Sequence, residues 1–320
     1  MVIACIQIIA GLALLVYGAD RFVSGASRTA RALGVPPLII GLTIVGVATS
    51  VPEVLVGMVA ALDGKTNIAI GNALGSNIAN IGLVLGGTVL VTPLVISSKT
   101  LRREYLIMFI SVIVGLALMI DQYISRLDAV ILILCLGMII WLILNVAGRA
   151  RRDPLATEYA KEFKGKISLK NSLLLLVLGL VLLLAGANIL VKGAVFVAQS
   201  FGISDLIIGL TIVAVGTSLP ELAASIVSVI KKEPDIAIGN IIGSNTFNML
   251  LVLSVPALIH PTGFEKEVLI RDFSVMILLT LLMGWMVFIR GHGKFSRWEG
   301  GILLGSFVAY QYWLFHSIAG

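Results

Sequence analysis

The chain has 320 residues, of which 58% are hydrophobic and only 12% charged. Soluble domains run at about 45–50% apolar and about 25% charged, so with a mean hydropathy of +1.07 this chain is expected in a bilayer and is too apolar for an ordinary soluble enzyme. The net charge of +6 raises nucleic-acid binding as a function class, but membrane topology accounts for it below, and no nucleic-acid partner is expected.

A membrane span needs about 20 apolar residues. Apolar runs between charge clusters place ten helices near 2–19, 36–61, 68–93, 105–120, 128–147, 171–190, 204–230, 236–259, 269–289 and 300–318. The first run begins without basic residues and lacks a small-residue cleavage site, so it reads as a retained span. The polar stretch 148–170 reads as a cytoplasmic linker too short to fold as a domain. The expected fold is an all-α polytopic membrane protein in one integral unit: a five-helix repeat over 1–147, the linker, and a second, inverted repeat over 171–320. Cys5 and Cys135 both sit in apolar runs, which excludes a disulfide framework and a cysteine-based zinc site.

The basic residues fix an orientation. Alternate connections hold 18 of the 23 Lys and Arg, in clusters such as Arg21, Arg28 and Arg31, or Lys99, Arg102 and Arg103. The other connections hold Lys65, Arg126, Lys192, Lys266 and Arg271. By the positive-inside rule the rich loops are cytoplasmic, and an even span count then puts both termini outside a cell membrane.

Sliding the chain by 168 residues aligns Gly41–Asn80 with Gly209–Asn248 without a gap, and 20 of those 40 positions are identical. GLTIVGVATSVPE matches GLTIVAVGTSLPE, and IAIGNALGSNIAN matches IAIGNIIGSNTFN. Each half holds five expected spans, an odd number, so the second enters the membrane upside down. Inverted repeats are the plan of many secondary transporters, whose site lies near the midplane between the halves.

Glu53 and Glu221 occupy matching positions deep in apolar spans. A charge there costs at least ~2.5–3.5 kcal/mol; one such residue could be a structural, protonated glutamate, whereas two in the same T-S-x-P-E setting point to function. Thr49 and Ser50 precede Glu53 by four and three residues and share its helical face, as Thr217 and Ser218 do for Glu221. Pro52 and Pro220 lack an N–H and are expected to break each helix, freeing the carbonyls of Ala48 and Gly216. On the following spans, Ser76 and Asn80, like Ser244 and Asn248, are four apart and can face the bundle axis. Asn72, Asn77, Asn240 and Asn245 are either further ligands or partners for broken backbone. The donors are all oxygen, without His or Cys. They suit Ca²⁺, Na⁺ or Mg²⁺ rather than zinc or copper, and flexible oxygens on kinked helices favour Ca²⁺ over Mg²⁺.

At GVATSVPE, GNALGSNIAN, AVGTSLPE and GNIIGSNTFN the chain resembles the sodium/calcium exchanger family of cation/calcium antiporters, and these segments are similar to its two α-repeats. The resemblance covers essentially the whole chain. It implies that Glu53 and Glu221 are shared Ca²⁺ and Na⁺ ligands, with Thr49, Thr217, Ser50, Ser218, Ser76, Ser244, Asn80 and Asn248, and that carbonyls at Gly46 and Ala214 complete sodium sites. Some relatives carry Asp where this chain has Asn248, which leaves two carboxylates here. The first and sixth helices resemble that family's long gating pair. The implied function is exchange of Na⁺ for Ca²⁺ by alternating access, with Ca²⁺/H⁺ exchange as the alternative. A passive channel would not need two equivalent carboxylates, and hydrolysis would need a metal–His or Ser–base arrangement. No cofactor beyond the transported ions, and no obligate protein partner, is expected.

Overall fold

The computed structural model describes residues 1–96, 98–151, 168–202, 212, 214–290 and 294–319. Helix α1 (Val2–Leu33) leads to α2 (37–49), α3 (Val51–Leu62) and α4 (Thr66–Val91), then strand β1 (Leu94–Val95), α5 (Ser98–Met119), strand β2 (Tyr123–Ile124) and α6 (Arg126–Arg151). The second half runs α7 (Leu169–Ser200), α8 (Ala214–Thr217), α9 (Leu219–Ile230), α10 (Pro234–Ile259), strand β3 (Thr262–Gly263), α11 (Val268–Arg290), strand β4 (Lys294–Phe295) and α12 (Arg297–Ala319). Among the described residues, seven helices are long and apolar enough to cross a membrane. Helices α5 and α12 occupy the places of two further expected spans. Helix α9 is a shorter apolar helix in the seventh, whose first half lies outside the described residues, as does most of the 148–170 linker.

Helices α1 and α7 correct the sequence reading. Each is 32 residues long, or about 48 Å against a hydrocarbon core of about 30 Å, and overruns the spans expected at 2–19 and 171–190. The charged residues that end an apolar run do not end a helix. Helix α1 stops only at Gly34, whose φ of 64° is left-handed and turns its N–H back to the Ala30 and Arg31 carbonyls. Arg21, Arg28 and Arg31 therefore lie on a helix, not in a connection.

These two helices cross as an antiparallel pair with glycine at every seventh position of each. A Cβ on Gly18 would stand 2.3 Å from the Leu183 nitrogen, and one on Gly179 would stand 2.2 Å from the Phe22 nitrogen. Gly11, Gly25 and Gly186 make the same kind of approach to Leu190, Leu176 and Leu15. Only backbone against backbone fits there. Within the rest of the molecule the repeat-related helices α4 and α10 form the centre. Their most apolar stretches are 72% and 83% buried, against 28% for α1 and for α7.

Two short antiparallel ribbons tie the halves together. Leu94–Val95 pairs with Lys294–Phe295, and Tyr123–Ile124 pairs with Thr262–Gly263. Each ribbon joins the end of one repeat's third span to the start of the other repeat's fifth, a small departure from the all-α expectation.

Candidate cation site

Both helices that carry the paired glutamates break at the same place. Helix α2 ends at Thr49, Ser50 takes φ −84° and ψ 3°, and α3 restarts with Pro52 in its first turn. In the second half Ser218 takes φ −87° and ψ 0°, and α9 restarts with Pro220. Proline is favoured at that point because the first helical N–H groups have no partner in any case. The break puts Glu53 and Glu221 in the first turns of α3 and α9, with the helix dipole's positive end toward each carboxylate.

Both glutamates are only 1% exposed, and they lie near enough to interact electrostatically. Ser76 lies close to the Glu53 carboxylate. Ser50 Oγ donates to Glu221 Oε1 at 3.4 Å, and Thr49 lies close to the same carboxylate. Each acid is thus addressed by hydroxyls, two of them from the opposite repeat. Thr49 Oγ1 also lies 3.0 Å from Asn240 Oδ1 and 3.4 Å from Ser244 Oγ, while Ser244 Oγ donates to the Gly46 carbonyl at 3.3 Å. Close packing permits this, since a Cβ on Gly46 would be 3.1 Å from Gly243 and Ser244 backbone atoms.

Several buried polar atoms in this cluster have no protein partner: Oε2 of Glu53 and of Glu221, both amide atoms of Asn80 and of Asn248, and Oγ of Ser218. Asn80 and Asn248 each begin a π-helical turn, at Asn80–Leu85 and Asn248–Val252, a local widening that recurs at functional sites. Unpaired buried oxygens are costly in an apolar interior, so matched sets in both repeats are an arrangement that cation coordination would satisfy.

Most of the expected residues meet here. Gly46, Thr49, Ser50, Glu53, Ser76, Asn80, Ser218, Glu221, Ser244 and Asn248 are all buried, while Thr217 is half-buried. Ala214 opens α8, and its side chain lies outside the described set. Two of the ambiguous amides resolve. Asn72 Nδ2 donates to the Glu53 carbonyl and Asn240 Nδ2 to the Glu221 carbonyl, each at 3.2 Å, and Asn240 adds Ser225 Oγ at 3.0 Å. Asn77 and Asn245 bond the carbonyls of Ala73 and Ile241 within their own helices. The role of Ser225 was not expected, because its repeat mate is Gly57. Among the described residues no group of three His, Cys, Asp or Glu side chains gathers anywhere, which leaves the site with the paired glutamates.

The family described as sodium/calcium exchanger protein matches residues 3–145 and 171–316, nearly all of both halves. This chain belongs to that family. It is a multi-pass membrane transporter of the cation/calcium antiporter kind. It is 40% identical over 320 residues to Inner membrane protein YrbG of Escherichia coli (strain K12), covering 98% of each chain. Similarity to Sodium/calcium exchanger MaX1 of Methanosarcina acetivorans is 31% identity, covering 96% of this chain and 97% of the relative. In three dimensions it is similar to the sodium-calcium exchanger NCX_Mj soaked with 2.5 mM Na⁺ and 1 mM Sr²⁺, at TM-score 0.81 and 31% identity over 100% of this chain and 99% of the other.

Proposed function

We propose that this family member exchanges Na⁺ for Ca²⁺ across the cell membrane at the site between Glu53 and Glu221, by alternating access. The observation that carries the proposal is the pair of buried glutamates, one per repeat, each with one oxygen that no protein group satisfies. Hydroxyl and amide oxygens surround them, a hard all-oxygen set that fits Ca²⁺ and Na⁺. Two carboxylates neutralise one Ca²⁺, or two Na⁺. The loaded site is then close to neutral and can change sides, whereas the di-anionic site resists leaving water. That difference couples the two ions.

The same reading assigns ten spans in two inverted five-helix units over 1–147 and 171–320, joined by the 148–170 linker, with both termini outside and the basic loops in the cytoplasm. Glu53 and Glu221 are the shared ligands. Thr49, Thr217, Ser50, Ser218, Ser76, Ser244, Asn80, Asn248 and the Gly46 and Ala214 carbonyls assist, and no enzymatic cofactor enters. The test uses purified protein in liposomes loaded with ⁴⁵Ca²⁺. A Na⁺ gradient alone is expected to drive Ca²⁺ flux, and a pH gradient alone is not. Flux driven only by the pH gradient would assign Ca²⁺/H⁺ exchange, and flux without any counter-gradient would assign a channel.

A further inference from the structure

The Thr49 hydroxyl has one proton to donate, and more oxygen surrounds it than that proton can serve. Within reach lie Asn240 Oδ1 at 3.0 Å, the Val45 carbonyl at 3.1 Å, Ser244 Oγ at 3.4 Å and the Gly46 carbonyl at 3.5 Å. The Glu221 carboxylate is close by as a further claimant. Which oxygen holds the proton decides what the hydroxyl presents to Glu221: a donor, or a lone pair that can face a cation.

Asn240, on α10 of the other repeat, settles the matter. Asn240 and Ser225 are both fully buried. The amide nitrogen Nδ2 of Asn240 donates to the Glu221 carbonyl at 3.2 Å and to Ser225 Oγ at 3.0 Å. A carbonyl only accepts, so the amide cannot turn over without losing that bond and setting two oxygens against each other. Its Oδ1 is thereby fixed toward Thr49. This oxygen also only accepts, so the short contact is satisfied when Thr49 donates to it. Ser244 is committed in the same way, because its Oγ donates to the Gly46 carbonyl at 3.3 Å. The close run of α10 along α2 permits both contacts: a Cβ on Gly243 would stand 2.5 Å from the Leu42 carbonyl oxygen. With its proton engaged there, Thr49 turns a lone pair toward a carboxylate whose Oε2 has no hydrogen-bond partner. Such facing oxygens are what a hard cation draws together.

We infer that Asn240 is a positioning residue of the cation site: anchored by the Glu221 carbonyl and Ser225, it draws the Thr49 proton away from the Glu221 carboxylate and so turns that hydroxyl into a ligand for the ion bound there. Asn240 acts through Thr49 and does not itself hold the ion. This role rests on the proposed exchange at Glu53 and Glu221. Thr49 belongs to the first repeat, and Asn240, Ser225 and Glu221 to the second, so the ligand set beside Glu221 is complete only while α2 and α10 are in contact.

The test is a double-mutant cycle on full-length protein in detergent. The thermal unfolding midpoint is followed as Na⁺ alone, or in separate samples Ca²⁺ alone, is added, and each titration gives a half-saturating concentration. That concentration is expected to rise about tenfold in Asn240→Ala and about tenfold in Thr49→Val, the change for one lost polar contact at the site. The double variant is expected to rise no further than Thr49→Val alone, and Thr49→Ser, which keeps the hydroxyl, to stay near the parent. A merely structural asparagine would lower the midpoint without moving the half-saturating concentration. That result, or losses that multiply to about a hundredfold in the double variant, overturns the proposal. If Asn240→Ala does not fold, Ser225→Ala takes its place, since it removes one anchor of the amide and no ligand atom. Binding about threefold weaker is then expected, again with no further loss in the Thr49→Val background, and unchanged binding overturns the proposal. The Ca²⁺ titration reads the same cycle whatever the counter-ion. Flux driven only by a pH gradient would therefore overturn the Na⁺ assignment and leave this result intact, and multiplied losses would do the reverse.

Discussion

Glu53 and Glu221 each keep one buried carboxylate oxygen with no hydrogen-bond donor, beside the unpartnered amides of Asn80 and Asn248 and the Ser218 hydroxyl, and in the proposed exchange these are the atoms that an ion would satisfy. Neutralising either acid by Glu53→Gln or Glu221→Gln removes a charge but keeps the shape. A buried ion that loses one charged partner is destabilised by ~3–5 kcal/mol, so Na⁺-driven ⁴⁵Ca²⁺ flux in liposomes is expected to fall by more than about a hundredfold for each variant. Retained flux in either would remove the glutamates from the proposed ion path. The supporting amides are unequal in a way that the repeat alone does not reveal. Asn240 is fully buried and bonds the Glu221 carbonyl, Ser225 and Thr49, whereas Asn72 is half-buried, bonds the Glu53 carbonyl and has Gly57 in the place of Ser225. A buried polar group left unpaired costs ~1–3 kcal/mol. Asn240→Leu is therefore expected to lower the thermal unfolding midpoint in detergent clearly more than Asn72→Leu. Equal shifts would mean that the bond to Ser225 contributes nothing to stability.

At the scale of helices, the α1–α7 pair meets backbone to backbone along its length, and a side chain at Gly18 or Gly179 has no space. Gly18→Leu is expected to separate the two helices locally and so to slow exchange strongly. Ca²⁺ binding by the core, measured calorimetrically, should persist, because α4 and α10 lie elsewhere. Loss of binding together with flux would instead make the pair part of the site. This element also shows what the sequence allowed to be read. The doubled T-S-x-P-E and G-N-x-x-G-S-N segments pointed to the helices that carry the paired glutamates and to a break in each at Pro52 and Pro220, because proline and buried charge have few structural uses in a membrane; the helices break two residues earlier, at Ser50 and Ser218. The lengths of α1 and α7 did not follow from hydropathy, since the apolar run ends near residue 19 while the helix continues through Asp20, Arg21 and Arg28 to Gly34. A signal was available in the seven-residue spacing of Gly11, Gly18 and Gly25 and of Gly179, Gly186 and Gly193. The π-helical turns at Asn80 and Asn248 left none, because the extra residue in a turn is set by packing and not by residue type. The ribbons escaped for a related reason: strands of two residues are too short for any alternating pattern.

In the proposed exchange cycle the whole molecule divides into a core that stays together and a helix pair that moves, and its cross-connections separate the two. The ribbons β1–β4 and β2–β3 each bridge the repeats within the core, joining the end of one half's third span to the start of the other half's fifth. The contact of Asp20 with Lys231, by contrast, bridges α1 and the core. The same covalent chemistry applied at the two places should then have opposite effects. Val95 and Lys294 are directly opposed in the first ribbon, so cysteines there are within reach of a disulfide. Oxidising Val95→Cys with Lys294→Cys is expected to leave the Na⁺-driven Ca²⁺ flux unchanged, because it joins parts that do not separate. Oxidising Asp20→Cys with Lys231→Cys ties the moving pair to the core and should stop exchange reversibly, with flux returning on reduction. If the ribbon bridge also stopped flux, the two repeats would have to move against one another, and the division into a rigid core and a sliding pair would be wrong.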